Sequence, residues 1–143
     1  MSAIKLFLRI EPDVPHTTHQ QQKTVVRGGR PFRYEEPKLK KTRALYMSLL
    51  APHAPASPMS GALQLSVKWL FAQPKRERSM WKTTRPDCDN LMKLLQDCMT
   101  ALKFWNDDSQ IAVLNVQKLW VPKDNEHGIY IKLERINEDY GNA

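Results

Sequence analysis

Two groups of acidic residues flank a predicted helix in the second half of the chain, and a lysine lies within it. Asp87 and Asp89 come at its start, Lys93 lies four residues after Asp89, and Asp107 and Asp108 follow its end. Carboxylate oxygens are the ligands that Mg²⁺ prefers, and an ammonium group can neutralise charge that develops on a phosphate. This combination predicts a site that holds a divalent cation against a phosphate.

Each of these residues also has an ordinary structural interpretation. Asp89 has the form of a helix N-cap, Lys93 is placed to pair with it one turn later, and Asp107 with Asp108 is typical of a turn. That interpretation weakens for the whole group, because carboxylates gathered without a cation repel one another. In extended backbone, Asp87 and Asp89 would point to the same side, which favours a shared ion.

The chain is basic, with a net charge of +7 and an isoelectric point of about 9.5. A basic surface binds polyanions through counterion release, and nucleic acid is the commonest such partner, but charge alone equally fits a merely soluble basic surface. Trp81 lies in one basic segment, where it could stack on a base or anchor the loop to the core. The candidates for phosphate contacts are Arg27, Arg30, Arg33, Lys75, Arg76, Arg78, Lys82 and Arg85.

A length of 143 residues and a hydrophobic content of 41% predict one globular domain, 1–143. Cys88 and Cys98 lie on or beside one helix, roughly 15 Å apart, so we expect no disulfide, and no cysteine or histidine pair has zinc-ligand spacing. No apolar run is long enough to cross a bilayer, and residues 4–10 lack a signal-peptide core. We therefore expect a cytoplasmic protein without a membrane partner. We also expect no small-molecule cofactor.

Periodicity along the chain predicts the elements that must position these residues. We expect a strand at 4–10, a long basic loop or ragged hairpin at 16–34, a helix from Pro37 to before Pro52, a strand at 63–71, a basic loop at 73–84, a helix at 90–104, strands at 113–121 and 129–136, and a frayed tail at 137–143. The second helix would bury Leu91, Leu94, Leu95, Cys98 and Leu102. This order predicts an α+β fold, in which one small mixed sheet of about four strands carries two main helices, packed mainly on one face.

Two segments resemble the signature of the RusA family, small endodeoxyribonucleases that resolve Holliday junctions and are frequent in phages and prophages. They are Arg85-Pro86-Asp87-Cys88-Asp89-Asn90-Leu91-Met92-Lys93 and, after Asp97 and Leu102, Trp105-Asn106-Asp107-Asp108-Ser109-Gln110-Ile111. The resemblance implies metal binding by Asp87, Asp89 and Asp108 and an essential cation at Lys93. Asp107 and Asn90 are further candidates to bind or support the metal. It also implies Mg²⁺ (with Mn²⁺ as a substitute), a homodimer, four-way DNA junctions as substrate, and the cytoplasm of a bacterial host.

Three hypotheses follow. The first is a Mg²⁺-dependent endonuclease that resolves Holliday junctions by paired symmetric nicks, which requires two sites related by a two-fold axis. The second is a nuclease for flaps, forks or other branched DNA in phage replication or packaging. The third is a non-enzymatic basic DNA-binding module, against which Asp107 and Asp108 argue, because helix capping does not require a second carboxylate pair.

Overall fold

The computed structural model describes residues 3–18 and 22–137, with the backbone alone at 22–25, 27 and 31–35. Its elements are β1 (Ala3–Arg9), β2 (Gln22–Arg27), β3 (Arg30–Glu35), α1 (Pro37–Leu50), β4 (Leu63–Ala72), α2 (Cys88–Ala101), β5 (Ile111–Val121) and β6 (Gly128–Arg135). Short 3₁₀ turns lie at Ala51–His53 and Asp108–Gln110. This arrangement confirms the predicted α+β class, while nearly all of the tail expected at 137–143 lies outside the described residues.

Four strands form one mixed sheet in the order β1-β6-β4-β5, in which only the β4–β5 pair is parallel. The basic segment that was predicted as a loop or ragged hairpin forms a separate antiparallel hairpin of β2 and β3. Gly28 and Gly29 make its turn with φ angles of +57° and +78°, which glycine adopts without steric cost.

The core lies on the side of the sheet that the helices cover. Alternate residues of β4, from Leu63 to Phe71, are buried there, as the strand period predicts. Both helices contact each other and contribute buried side chains to this core, which for α2 are Leu91, Met92, Leu94, Leu95, Cys98 and Met99. Leu102, which we expected to be buried, is only half-buried because it is the C-cap of α2. Cys88 and Cys98 are both free thiols.

The start of α2 differs from the prediction. The helix begins at Cys88 rather than Asn90, and its N-cap is Asp87, with extended backbone at φ −74° and ψ 151°. The carbonyl of Asp87 accepts a hydrogen bond from the amide of Leu91, and this bond starts the helical pattern two residues ahead of Asp89. Asp89 therefore lies in the first turn, where a negative charge is favourable to the helix dipole. The sequence predicted that both carboxylates project from extended backbone. In the structure they project instead from the N-cap and the first turn of α2.

None of the described helices has the length and apolar character needed to cross a membrane.

Candidate active site

The carboxylates at the start of α2 make no structural contact with any other described residue. Asp87 and Asp89 are exposed, and the Asp87 side chain does not cap the helix although the residue occupies the cap position. Lys93 is exposed one turn after Asp89 on the same face of the helix. Across residues 3–18 and 22–137, no hydrogen bond or ion pair engages any of these three side chains. All three are therefore free to bind an external ligand.

The second carboxylate pair lies on a 3₁₀ turn that a capping box closes. The Asp107 carboxylate accepts from the Ser109 amide at 3.1 Å, and Gln110 Oε1 accepts from the amides of Asn106 and Asp107 at 2.9 and 3.0 Å. Gln110 Nε2 donates to the carbonyls of Met59 and Gly61, both at 3.0 Å. Asp107 is thus occupied with shaping the turn, which leaves Asp108 as the better placed of the two for a ligand.

A buried tryptophan anchors the chain just before this turn. Trp105 is fully buried, its indole Nε1 donates to Thr100 Oγ1 at 2.8 Å, and the Met59 amide donates to the Phe104 carbonyl at 2.9 Å. Lys103 reverses the chain at the end of α2 with a φ of +62°. The tryptophan in this motif therefore determines where the following aspartates leave the core.

Asp107 and Asp108 perturb each other's pKa in opposite directions. The hydrogen bond with Asp107, partial burial, and the negative charges of Asp107 and Asp97 raise the pKa of Asp108. The Ser109 amide, together with the hydrogen bond from Asp108, lowers the pKa of Asp107. A carboxyl group held among like charges is one that gains from a nearby cation.

The polar face of α2 runs between the two carboxylate groups. Asp89, Lys93 and Asp97 follow at intervals of four residues, and the charge of Asp97 acts on Asp108. Yet among the described residues no three histidine, cysteine, aspartate or glutamate side chains lie close enough together to hold a metal ion. Asp87, Asp89 and Asp108 therefore do not form a preformed metal site. The all-oxygen donor set still fits Mg²⁺, which is commonly bound by one or two carboxylates together with waters and substrate phosphates.

Comparison with known proteins identifies the family. Residues 12–134 match the family model described as Endodeoxyribonuclease RusA. The chain belongs to the RusA family. A crossover junction endodeoxyribonuclease rusA from Lactococcus phage r1t is 44% identical over 75 residues, which are 52% of this chain and 55% of that protein. The chain thus spans about half the length of the curated relative it matches, and the resemblance inferred from the two motifs is confirmed.

One residue that the sequence reading missed holds the RusA motif in place. Lys118 of β5 extends its ammonium to the loop before α2, where it donates to the carbonyls of Thr84 and Pro86 at 2.7 and 2.8 Å. The strand period could have drawn attention to Lys118. It falls on the same face of β5 as Val116 and the buried Trp120, where a lysine is unusual.

Lys82 differs from the other cations predicted to contact DNA, because it is only 3% exposed. Its ammonium donates to Thr84 Oγ1 at 2.6 Å and lies 4.2 Å from the ring centroid of Trp120 and 5.1 Å from that of Phe71. Burial, followed by the charge of Lys118, lowers the pKa of Lys82. A phosphate contact requires an accessible ammonium, so the prediction for Lys82 is corrected: it supports the loop from inside the protein.

The remaining predicted DNA contacts of this RusA-family chain lie on the surface where the structure describes them. Lys75, Arg76, Arg78 and Arg85 are exposed and make no ion pair with any described residue. Arg30 is exposed at the tip of the β2–β3 hairpin. The side chains of Arg27 and Arg33 lie outside the described part of the structure.

Proposed function

We propose that this chain is a metal-dependent endodeoxyribonuclease that resolves Holliday junctions by paired symmetric nicks, with Mg²⁺ as its metal and Mn²⁺ as a substitute. One observation carries the proposal. In a chain of the RusA family, the carboxylates and the lysine at the start of α2 are exposed and have no partner among the described residues. Side chains kept free in this way are suited to an external ligand.

Asp87, Asp89 and Asp108 would hold the metal, with Asn90 and Asp107 as supporting residues. A bound divalent cation supplies positive charge to the phosphate and lowers the pKa of a coordinated water. Lys93 donates to a non-bridging phosphate oxygen and stabilises the negative charge that grows there in the transition state. Without a cation, the carboxylates would repel the phosphate to be cleaved, so this phosphate is expected to enter the site together with the metal, whereas the cations of the basic loops bind the rest of the DNA without it.

The proposed substrate is four-way DNA in the cytoplasm of a bacterial host. Symmetric nicks in two opposed strands call for two equivalent sites, so the working form is a homodimer. The exposed side chains of Arg30, Lys75, Arg76, Arg78 and Arg85 contact phosphates, and Arg27 and Arg33 remain further candidates for such contacts. These contacts give affinity rather than base specificity, because phosphates carry no sequence information.

The test is a cleavage assay with end-labelled four-way junctions, flaps, forks and linear duplexes, each with Mg²⁺, Mn²⁺ or EDTA. We expect symmetric nicks in the junction with either metal and none in EDTA. Asp89→Asn should abolish cleavage while junction binding in EDTA stays the same or tightens, because a negative charge near the phosphate is lost. Glu126→Gln, which neutralises an exposed carboxylate on a different loop, should cleave normally.

Other outcomes separate the alternatives. Preferential cutting of flaps or forks would favour a general branched-DNA nuclease. Binding to DNA without nicks at any metal concentration would favour the non-enzymatic module. Full cleavage by the Asp87→Asn, Asp89→Asn double variant would overturn the proposed site.

A further inference from the structure

Trp81 stands apart from the other three tryptophans, because half of its surface is open to solvent. Trp81 is 50% exposed, whereas Trp69 and Trp105 are 0% exposed and Trp120 is 9% exposed. An aromatic residue in a basic loop can either anchor the loop to the core or contact a ligand. The ring of Trp81 is not part of the hydrophobic core of the described residues. Its apolar surface is therefore available to a binding partner.

The backbone of Trp81 is held against the sheet, although half of the side chain is exposed. The Trp120 amide donates to the Met80 carbonyl at 2.8 Å and the Lys82 amide donates to the Lys118 carbonyl at 3.0 Å, so residues 80–82 pair antiparallel with the edge of β5. Successive side chains on a strand point to opposite faces. Since Lys82 points into the core, Trp81 points away from it. The ring is presented from a fixed backbone, which reduces the conformational entropy lost on binding.

The charge around Trp81 favours a polyanion over a second copy of this chain. The loop that leads into it carries Lys75, Arg76 and Arg78, all exposed and without an ion pair among the described residues. Glu77 is the one acidic residue between 74 and 86, and its Oε1 already accepts from the amides of Arg78 and Ser79, both at 2.9 Å. Two copies meeting here would bring like charges together, whereas nucleic acid would neutralise them.

We propose that Trp81 stacks on an unpaired nucleobase at the branch point of the DNA, while the cations of residues 75–78 contact the flanking phosphates. An aromatic ring beside cations is the usual means of binding unpaired bases, since every base has a π-face. The inference rests on the proposed function for its substrate. Trp81 and Asp87 are six positions apart in the chain, so their Cα atoms are at most about 20 Å apart, which is the length of about six nucleotides along one strand. The stacked base would therefore lie within about six nucleotides of the nicked phosphate.

The test measures binding in EDTA, where cleavage does not intervene. Three DNAs are compared: a single strand, a four-way junction with one unpaired nucleotide at the branch, and a linear duplex. We expect Trp81→Ala to weaken binding to the first two by about tenfold or more and to leave the duplex unchanged, and Trp81→Phe to retain most of the affinity. Tyr130→Ala, which removes a partly exposed aromatic ring from β6, should bind all three like the parent protein.

A second readout follows the intrinsic tryptophan fluorescence. Because the other three tryptophans are buried, the quenching caused by a single-stranded oligonucleotide should come from Trp81 and should vanish in Trp81→Phe. The inference is overturned if Trp81→Ala binds the three DNAs as the parent does, or weakens all three equally. It is also overturned if this variant sediments as a lighter species, since the ring would then be a contact between copies of the chain.

The two proposals fail separately. If the protein never nicks DNA but Trp81 is quenched by single strands, the proposed nuclease fails and the stacking site stands. If the protein resolves junctions and Trp81→Ala binds and cleaves normally, the stacking site fails and the nuclease stands.

Discussion

The ammonium nitrogen of Lys118 lies 2.8 Å from the carbonyl oxygen of Pro86, the residue that precedes Asp87. The same nitrogen donates to the carbonyl of Thr84 at 2.7 Å. One side chain from the edge of the sheet thus ties down the loop that ends in the N-cap of α2. Because the backbone of Asp87 determines where its carboxylate projects, Lys118 acts as a positioning residue for the proposed metal site.

Replacing Lys118 with Met should lower the rate of junction cleavage by about tenfold to a hundredfold, because a displacement of about 1 Å in a catalytic group is enough for such a loss. Affinity for the junction in EDTA should change little, since Lys118 faces the protein. Single-turnover cleavage and gel-shift titrations measure the two quantities. Lys123→Met, in the exposed loop after β5, is the matched control. Cleavage by Lys118→Met at the parent rate would remove Lys118 from this role.

Asp107 and Asp108 should respond differently to the same substitution. Asn is a good capping residue, so Asp107→Asn can still accept from the Ser109 amide and should keep most of the activity. Asp108→Asn should lose cleavage, because Asp108 is the proposed metal ligand and the substitution removes its negative charge. Metal titrations of the cleavage rate test both variants. Equal losses of activity in the two variants would indicate that both aspartates bind the metal. Full activity of Asp108→Asn would show that Asp108 is not a metal ligand.

Lys82→Met should be as stable as the parent or more stable. The cation–π contacts of Lys82 contribute roughly 0.5–2 kcal/mol, but a thioether also packs well on aromatic rings and has no charge to desolvate. Since burial lowers the pKa of Lys82 below 10.5, the stability of the parent should rise as the pH increases from that lowered value to 10.5, and the variant should lack this rise.

Urea unfolding at pH 7 and pH 10 measures this difference. The same variant tests the corrected role of Lys82 in DNA binding. Its affinity for DNA should be unchanged, whereas Arg78→Ala, which removes an exposed cation from the same loop, should bind more weakly. If Lys82→Met bound DNA more weakly but were as stable as the parent, Lys82 would have to contact DNA directly, and the supporting role assigned to it would be wrong.

Glu11 should make stability depend on pH in acid. The hydrogen bond from His127 Nδ1, at 2.8 Å, is the largest of the effects that lower the pKa of Glu11 below 4.5. The resulting stabilisation is complete above pH 4.5 and disappears as the pH falls through the lowered folded-state pKa. The parent should therefore be more stable than Glu11→Gln near neutral pH, and this difference should shrink in acid.

Unfolding by urea at a series of pH values from neutral to acid checks this expectation. Glu126→Gln is the control, because Glu126 meets Arg9 at 3.4 Å with both side chains about 60% exposed, and pairs of that kind add little stability. A constant difference between the parent and Glu11→Gln over the whole range would show that the Glu11 carboxylate does not carry the effect.

The sequence alone was sufficient for the class of fold and for the motifs. The alternation in β4 and the helical spacing of Leu91, Leu95 and Cys98 both result from burial of one face. A buried face repeats every two residues in a strand and every 3.6 residues in a helix, so a short stretch of sequence is enough to show it. The spacing of Asp87, Asp89, Lys93 and Asp108 is likewise a local pattern, and it was enough to indicate the RusA family that the comparison then established.

The tertiary structure decided which of the charged side chains are available. Lys82 and Arg78 are both cations of one loop, yet the pairing of residues 80–82 with β5 buries the first and leaves the second exposed. Lys118 meets Pro86 across 32 positions of the chain, and Asp97 acts on Asp108 across the turn that follows α2. Such contacts depend on strand register and chain reversal, which bring distant residues together, and no local period encodes them.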